Sequence, residues 1–297
     1  MKVAVTGASG LVGSALVPFL ASKGHEVVRL VRRDPRGAAE VRWDPARGEI
    51  DGSTLEGVDA VVHLSGESIA GGRWSAARKK RLYDSRIGST RTLARALAAL
   101  KRRPSVLIST SAIGYYGSRR DAWLTEASPP AEDFLGRLAV DWEAAAAPAA
   151  EAGIRVVHPR SGLVLSPAGG ALGKMLLPFR LGLGGVLGPG TQYMSWIAID
   201  DVLGAVQHTL VRADLEGPFN MVAPEPVTNR EFTKTLGRAL KRPTILPAPA
   251  LALRFVLGEM ADATLLSSTR VRPERLEQTD FTFRFPTLEG ALRHVLG

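Results

Sequence analysis

Three glycines near the start of the chain have the spacing of a turn that can bind phosphate. Gly7, Gly10 and Gly13 follow the apolar residues 3–5 and surround the start of a helical pattern at Leu11. Glycines allow a tight turn and a close approach of the backbone, and the free N–H groups of a helix start attract an anion. The order strand, glycine turn, helix therefore predicts a site for the pyrophosphate of a dinucleotide. The alternative is an ordinary strand-to-helix turn, because a glycine triplet alone is weak evidence.

Two arginines follow the second predicted strand, where a dinucleotide-binding fold selects its cofactor. The apolar residues 27–31 predict this strand, and Arg32 and Arg33 come directly after it. An acidic residue there would hold the ribose 2′-hydroxyl of NAD and repel the 2′-phosphate of NADP. A guanidinium group pairs with phosphate through two hydrogen bonds, so the sequence predicts NADP. The adjacent Asp34 weakens this prediction, and either arginine could be an ordinary surface residue.

The end of the fourth predicted strand supplies further candidates for the site. An apolar pattern covers residues 59–64, and Ser65, Gly66 and Glu67 follow it. Ligands of open α/β sheets bind beyond the carboxyl ends of the strands, so we expect these residues beside the cofactor or the substrate. Glu67 is also a candidate for proton transfer. His63 lies inside the strand and is interpreted as a core residue.

Hydroxyl and aromatic side chains at other strand ends are candidates for contact with substrate and cofactor. The strand predicted over residues 106–111 ends at Ser111, and Tyr115 and Tyr116 follow. Their hydroxyl groups can orient a carbonyl or supply a proton, although an unassisted tyrosine, with a pKa of about 10, is a poor base near neutral pH. Lining of the pocket is the alternative role for both tyrosines. Trp43, at the end of a short third strand, could form a wall beside the adenine or belong to the core.

These side chains require a scaffold of alternating strands and helices, which is typical of a doubly wound parallel sheet. We predict an α/β fold whose Rossmann-type domain covers residues 1–165, with a returning segment at about 195–222. The remainder, residues 166–297, is predicted to form a cap and a small C-terminal α+β substrate domain. The glycine-rich residues 166–193 are interpreted as a mobile helix-loop cap over the strand ends.

Four predictions concern single elements of this scaffold. They are a polar loop over residues 118–133, a helix over 134–152, one strand over 192–199, and a helix over 202–212 capped by Asp200 and Asp201.

Composition excludes several classes of protein. There is no cysteine, which rules out disulfides and thiolate metal sites, and no other metal site is predicted. The formal net charge is +9, but the basic clusters are short and scattered, so no nucleic acid is expected as a partner. No window approaches the roughly 20 apolar residues of a membrane span. We expect a cytoplasmic protein with a small-molecule substrate and no membrane partner. The sequence leaves open whether the protein forms an oligomer.

The nucleotide-binding half resembles the extended or atypical short-chain dehydrogenases/reductases of the epimerase/dehydratase group. The resemblance is carried by Thr6-Gly7-Ala8-Ser9-Gly10-Leu11-Val12-Gly13, residues 59–66, residues 109–117 and Ile199-Asp200-Asp201-Val202. The whole chain is similar to the epimerase-like subfamily that includes mammalian SDR family 39 and bacterial proteins sometimes called cell-division-inhibitor-like, with its DUF1731-type tail. Residues 141–145, residues 175–185 and the tail from Pro249 carry this narrower match.

The resemblance implies a Rossmann-type domain, bound NADP(H) and a set of cofactor positions. The positions that match are Ser9, Gly10, Leu11, Val12, Arg32, Arg33, Leu64, Ser65 and Gly66. Four consecutive residues would border the nicotinamide, namely Pro159, Arg160, Ser161 and Gly162.

One departure from the resembling proteins concerns proton transfer. Most of them carry a Tyr-x-x-x-Lys pair, and no such pair occurs in this chain. With Glu143 as the anchor, the pair falls at Leu135 and Ala139, which cannot transfer a proton. Ser111 still matches a catalytic position, so Ser111 and Tyr116 are the first candidates, followed by Tyr115 and Glu67.

Two functions remain open on this evidence. The first is an NADP(H)-dependent oxidoreductase or epimerase-like enzyme of unknown substrate, in which the cofactor carries the hydride and the protein aligns the substrate. The second is a catalytically silent NADP(H)-binding regulatory or scaffold protein, which the missing Tyr/Lys pair favours.

Overall fold

The computed structural model describes residues 1–297 and divides them into short strands and helices. The strands are, in chain order, β1 (Lys2–Thr6), β2 (Glu26–Val31), β3 (Glu40–Asp44), β4 (Glu49–Ile50), β5 (Ala60–His63), β6 (Val106–Ser109), β7 (Ser111–Ala112), β8 (Trp123–Leu124), β9 (Arg155–Ser161), β10 (Leu163–Leu165), β11 (Tyr193–Met194), β12 (Trp196–Ala198), β13 (Gly217–Met221), β14 (Val227–Thr228) and β15 (Arg270–Val271).

The α-helices lie between and after these strands. They are α1 (Leu11–Ser22), α2 (Ala76–Ala98), α3 (Phe134–Ala144), α4 (Ala147–Glu151), α5 (Gly170–Arg180), α6 (Ile199–Val211), α7 (Asn229–Ala239), α8 (Ala250–Leu257), α9 (Glu274–Gln278) and α10 (Leu288–Leu296). None of them is both long and apolar enough to cross a membrane.

A nine-stranded sheet is the largest unit of the fold. Its order is β13-β9-β6-β5-β1-β2-β3-β4, with β7 beside β9, and only the β3–β4 pairing is antiparallel. Successive side chains of a strand point to opposite faces. Val3 and Val5 accordingly pack in one core cluster with residues of α1 and α6, while Ala4 packs in another with residues of α2 and α4. The predicted doubly wound fold is confirmed.

The C-terminal part builds a separate core around Trp196. Helices α5, α7 and α10 contribute the apolar side chains that surround its buried ring, including Phe179, Phe232 and Leu292. Strand β13 belongs to the large sheet, so a late segment of the chain returns to its edge beside β9.

Several single elements differ from the sequence predictions because their partners are distant in the chain. Residues 118–133 are not all loop, since β8 pairs with β15 from the C-terminal tail. The strand predicted over 192–199 is two strands, β11 and β12, which belong to different sheets. The helix predicted over 134–152 is divided into α3 and α4.

The predicted cap of α6 is also wrong. The helix begins at Ile199, and no side chain caps it. The Asp201 carboxylate is buried and accepts the backbone N–H groups of Arg284, at 2.7 Å, and Phe285, at 3.1 Å. Asp201 therefore fastens the tail to the helix.

His63 is a core residue, as predicted, and it makes stability depend on pH. It is fully buried, with ring nitrogens 2.8 Å from Thr6 Oγ1 and 3.1 Å from Thr90 Oγ1. Burial lowers its pKa from 6.5 to about 4. Because the unfolded chain binds the proton more readily, the contribution of His63 is complete above pH 6.5 and is lost as the pH falls towards 4.

We expect this loss to amount to about 3 kcal/mol of the free energy of unfolding. Urea unfolding between pH 4.5 and 7 measures it. His63→Gln should be less stable at pH 7, and its free energy of unfolding should depend less steeply on pH. Part of the pH dependence that is left should come from His158, whose pKa burial also lowers. An unchanged slope in the variant would show that His63 is not the titrating group.

Candidate cofactor and substrate site

The glycine turn has the geometry of a backbone cradle for an anion. Gly7 has a φ of +65°, and a Cβ atom there would lie 2.9 Å from the carbonyl oxygen of Leu64. A Cβ at Gly13 would lie 2.2 Å from the carbonyl oxygen of Gly7. No side chain caps α1 at Gly10, so its first N–H groups stay available, and Ser9 and Gly10 are exposed. The turn therefore fits a pyrophosphate group.

The two arginines after β2 differ in their partners. Arg33 donates from both terminal nitrogens to the Glu40 carboxylate, at 2.7 Å each, and Arg29 contacts the same group at 2.8 Å. The Arg33 hydrogen bonds, with smaller effects of the Arg36 N–H and the neighbouring charges, lower the pKa of Glu40 to about 2. Arg32 is exposed and forms no ion pair. Arg32 is therefore the guanidinium group that is available to a phosphate.

Trp43 belongs to the core in this structure. Its side chain is buried in the cluster with α2, and its ring meets the His63 ring edge to face, with centres 5.9 Å apart. Of the two roles considered for Trp43, a wall beside the adenine or a core residue, the structure shows the core residue.

A cavity of about 360 Å³ lies between the large sheet, α3, α5 and the tail. Most of its lining side chains are hydrophobic. Of the four residues predicted to border the nicotinamide, Ser161 and Gly162 line it, whereas Pro159 and Arg160 lie inside β9. Leu135 and Ala139 also line it. The two positions expected for the Tyr/Lys pair thus face the cavity with side chains that cannot move a proton.

The first two catalytic candidates do not border this cavity. Tyr116 is fully buried, donates to Asn220 Oδ1 at 2.7 Å and accepts from Arg160 Nη1 at 3.0 Å. Burial raises its pKa to about 12. Ser111 is 3% exposed and donates to Glu143 Oε1 at 2.7 Å. Both hydroxyl groups are hydrogen-bonded to groups of the protein interior, and the structure does not bring either of them to the cavity.

The other two candidates are also engaged elsewhere. The Arg160 guanidinium lies over the Tyr115 ring, 3.5 Å from its centre. The Glu67 carboxylate pairs with Arg78 and lies 3.5 Å from Arg81. Neither Tyr115 nor Glu67 is among the residues that line the cavity.

Arg160 and Glu143 form a buried ion pair between β9 and α3. Arg160, on β9, donates from Nε to Glu143 Oε1 at 2.8 Å and from Nη2 to Oε2 at 2.9 Å. Glu143 is on α3, so the pair joins that helix to the sheet directly beside Ser161. Arg160 therefore positions the cavity wall and is not itself open to a ligand.

The titratable residues that do line the cavity are Arg86, Asp133 and Tyr193. The Asp133 carboxylate caps α3 by accepting the N–H of Gly136 at 2.8 Å. Arg86 is buried, although it follows the basic residues 78–81 of α2, of which Lys80 and Arg81 are exposed. One signal could have identified it, because Arg86 comes four residues after the buried Leu82 and shares its helix face.

Comparison with known proteins agrees with this architecture. The model of the NAD dependent epimerase/dehydratase family matches residues 3–221, and that of a domain of unknown function, DUF1731, matches residues 248–295. The epimerase family protein Mb2239 of Mycobacterium bovis is 47% identical over 293 residues, which is 99% of this chain and 97% of the relative. The human epimerase family protein SDR39U1 is 39% identical over 299 residues and 100% of both chains.

Solved structures show the same fold. A crystal structure of human SDR39U1 (isoform 2) with NADPH has a TM-score of 0.92 at 37% identity and covers 99% of both chains. UDP-N-acetylglucosamine 4-epimerase from Bacillus cereus has a TM-score of 0.79 at 19% identity, over 99% and 98% of the two chains, a likeness of fold alone. With the family model matching residues 3–221 and relatives matching the full length, this chain belongs to the NAD dependent epimerase/dehydratase family.

Proposed function

We propose that this protein binds NADP(H) and is an oxidoreductase or epimerase-like enzyme that acts on a small molecule. The observation that carries the proposal is the uncapped start of α1 behind the glycine turn, next to the unpaired Arg32 at the end of β2. The similar human protein was crystallised with NADPH, which supports the same choice of cofactor.

Different residues would bind different parts of the cofactor. The N–H groups of Leu11 and Val12 would bind the pyrophosphate, Arg32 the 2′-phosphate, and Ser161 and Gly162 would border the nicotinamide. The bound cofactor supplies hydride transfer. The apolar cavity beside Ser161 excludes water and positions the substrate.

Proton transfer has to use a group other than the usual pair. Tyr193 is the only phenol that lines the cavity, and its one side-chain partner in a hydrogen bond, Ser268, contacts its backbone N–H and leaves the hydroxyl group free. We therefore propose Tyr193 as the group that exchanges a proton with the substrate.

A catalytically silent NADP(H)-binding protein is the second candidate. Leu135 and Ala139 favour it, because both positions face the cavity with apolar side chains. A panel of dialdehydes, ketones and sugar nucleotides, followed by NADPH absorbance, separates the two functions. Turnover of any of them supports the enzyme, whereas tight NADPH binding without turnover supports the silent protein.

The Arg32→Ala variant tests the cofactor assignment. We expect it to weaken NADPH binding by about 10- to 100-fold, because a charge-assisted hydrogen-bond pair is worth about 1.5–3 kcal/mol. NADH binding should not change, and Arg33→Ala should have a smaller effect because Glu40 already holds that guanidinium group. Fluorescence titration with both cofactors measures this.

The exposed Arg47, which faces Asp44 at 3.8 Å, offers a matched control. Arg47→Ala should bind NADPH as the wild type does. Equal affinity of the unmodified protein for NADH and NADPH would contradict the role of Arg32.

A further inference from the structure

Arg86 is a buried guanidinium group at one wall of the cavity. Only 7% of the residue is exposed. The group lies over the Trp142 ring, 5.0 Å from its centre, and its Cζ would be 3.4 Å from a Cβ at Gly66. The guanidinium thus lies beside both the Trp142 ring and the Gly66 backbone, and Arg86 is one of the residues that line the cavity.

The hydrogen bonds of Arg86 are incomplete. Nη1 donates to the carbonyl oxygen of Leu82 at 3.1 Å, and the buried Nε has no acceptor. No carboxylate lies within ion-pair distance of Arg86. The nearby Glu67 pairs with Arg78 and Arg81 instead. A buried charge without a partner is costly, so proteins pair such groups. Burial lowers the pKa of Arg86 to about 10, which agrees with a missing anion.

The remaining cavity wall indicates what kind of molecule carries that anion. Around Arg86 it presents Ile69, Leu135, Leu138 and Trp142. Six hydroxyl side chains also line it. Those of Ser161, Ser195 and Thr264 donate to backbone carbonyl oxygens of the protein, whereas those of Tyr193, Ser267 and Thr269 form no hydrogen bond within it.

The cofactor phosphates are expected elsewhere. Neither the glycine turn nor Arg32 lines the cavity, whereas Ser161 and Gly162, at the nicotinamide end, do. The anion that Arg86 lacks therefore belongs to the molecule that reacts.

We infer that the cavity binds a small apolar carboxylate and that Arg86 pairs with its carboxylate group. The planar guanidinium fork matches the two carboxylate oxygens. The inference rests on the proposed function in taking the cavity as the substrate site. Arg86 is in this view the residue that selects the substrate.

Heptanoate is a suitable probe, with 1-heptanol as its neutral counterpart. Calorimetric titrations use the whole protein, with and without saturating NADPH, and compare wild type, Arg86→Met and Arg86→Lys. The control is Arg91→Met, an exposed arginine further along α2. We expect Arg86→Met to weaken heptanoate binding by about tenfold or more, with heptanol unaffected and Arg86→Lys intermediate. Arg91→Met should match the wild type.

Equal heptanoate binding by wild type and Arg86→Met would overturn the inference, as would no binding by wild type. A large loss of NADPH affinity in Arg86→Met, without loss of heptanoate binding to the free protein, would assign Arg86 to a cofactor phosphate instead and would also overturn it. The fluorescence titration with NADPH tests the proposed cofactor independently. If NADPH does not bind the wild type, the proposed cofactor is refuted, but the comparison of heptanoate binding by wild type and Arg86→Met is still valid.

Discussion

Replacement of Glu143 by glutamine is expected to lower the free energy of unfolding by about 3–5 kcal/mol. The amide leaves the Arg160 guanidinium, whose side chain is 3% exposed, without a counter-charge. It also disturbs the hydrogen bond from Ser111, so three elements, α3, β7 and β9, lose their common contact. NADPH binding should weaken as well, because Ser161 and Gly162 directly follow Arg160. Urea unfolding and NADPH titration of the same preparation measure both effects.

Asp84→Asn is a matched control for this substitution. Asp84 pairs with Lys80 on the exposed face of α2, at 2.5 Å. Exposed pairs of this kind contribute about 0.5 kcal/mol or less, so the control should unfold almost as the wild type does. A Glu143→Gln protein as stable as Asp84→Asn would contradict the importance of the buried pair.

The second large effect is expected from Gly13→Ala. The added Cβ would lie 2.2 Å from the Gly7 carbonyl oxygen and 2.7 Å from Ala8 Cα, both backbone atoms, so the turn has to move. Loss of two charge-assisted hydrogen bonds at about 1.5 kcal/mol each lowers NADPH affinity on the order of 100-fold. Crowding should cost about 1–3 kcal/mol of stability in addition. Titration with NADPH and urea unfolding test both values.

Gly88→Ala is the control that shows whether an effect comes from position 13 or from any change of glycine to alanine. Gly88 lies within α2, and a Cβ there would meet nothing within 4 Å. This variant should bind NADPH normally and gain up to about 1 kcal/mol from helix propensity. Normal NADPH affinity in Gly13→Ala would show that the turn does not hold the pyrophosphate.

Local patterns were sufficient for much of the nucleotide-binding half. The apolar run at residues 3–5, the glycines after it and the helix from Leu11 depend on neighbours in sequence, and they form as predicted. A further local feature is the capping box at the start of α7, which Thr228 forms with Glu231 three residues later. His63 could be recognised as a core residue because it continues a buried strand.

Contacts between distant segments could not be read in the same way. Asp201 has the residue type and position of a helix cap, but the backbone of Arg284 and Phe285 claims its carboxylate. The direction of the Tyr116 side chain is set by the short 3₁₀ turn at residues 113–116 and by Asn220, more than 100 residues later. Arg86 is absent from the predicted site residues, because a count of charges does not show burial.

The position of the cavity wall within the chain has a consequence for biosynthesis. Residues 263–265, 267 and 269 form part of that wall, and β8 can pair only once β15 is present. Since domains fold in order as the ribosome releases them, the nucleotide-binding sheet can form its first six strands long before the wall exists. A nascent chain would therefore present an open cleft until residues 263–269 have emerged from the exit tunnel.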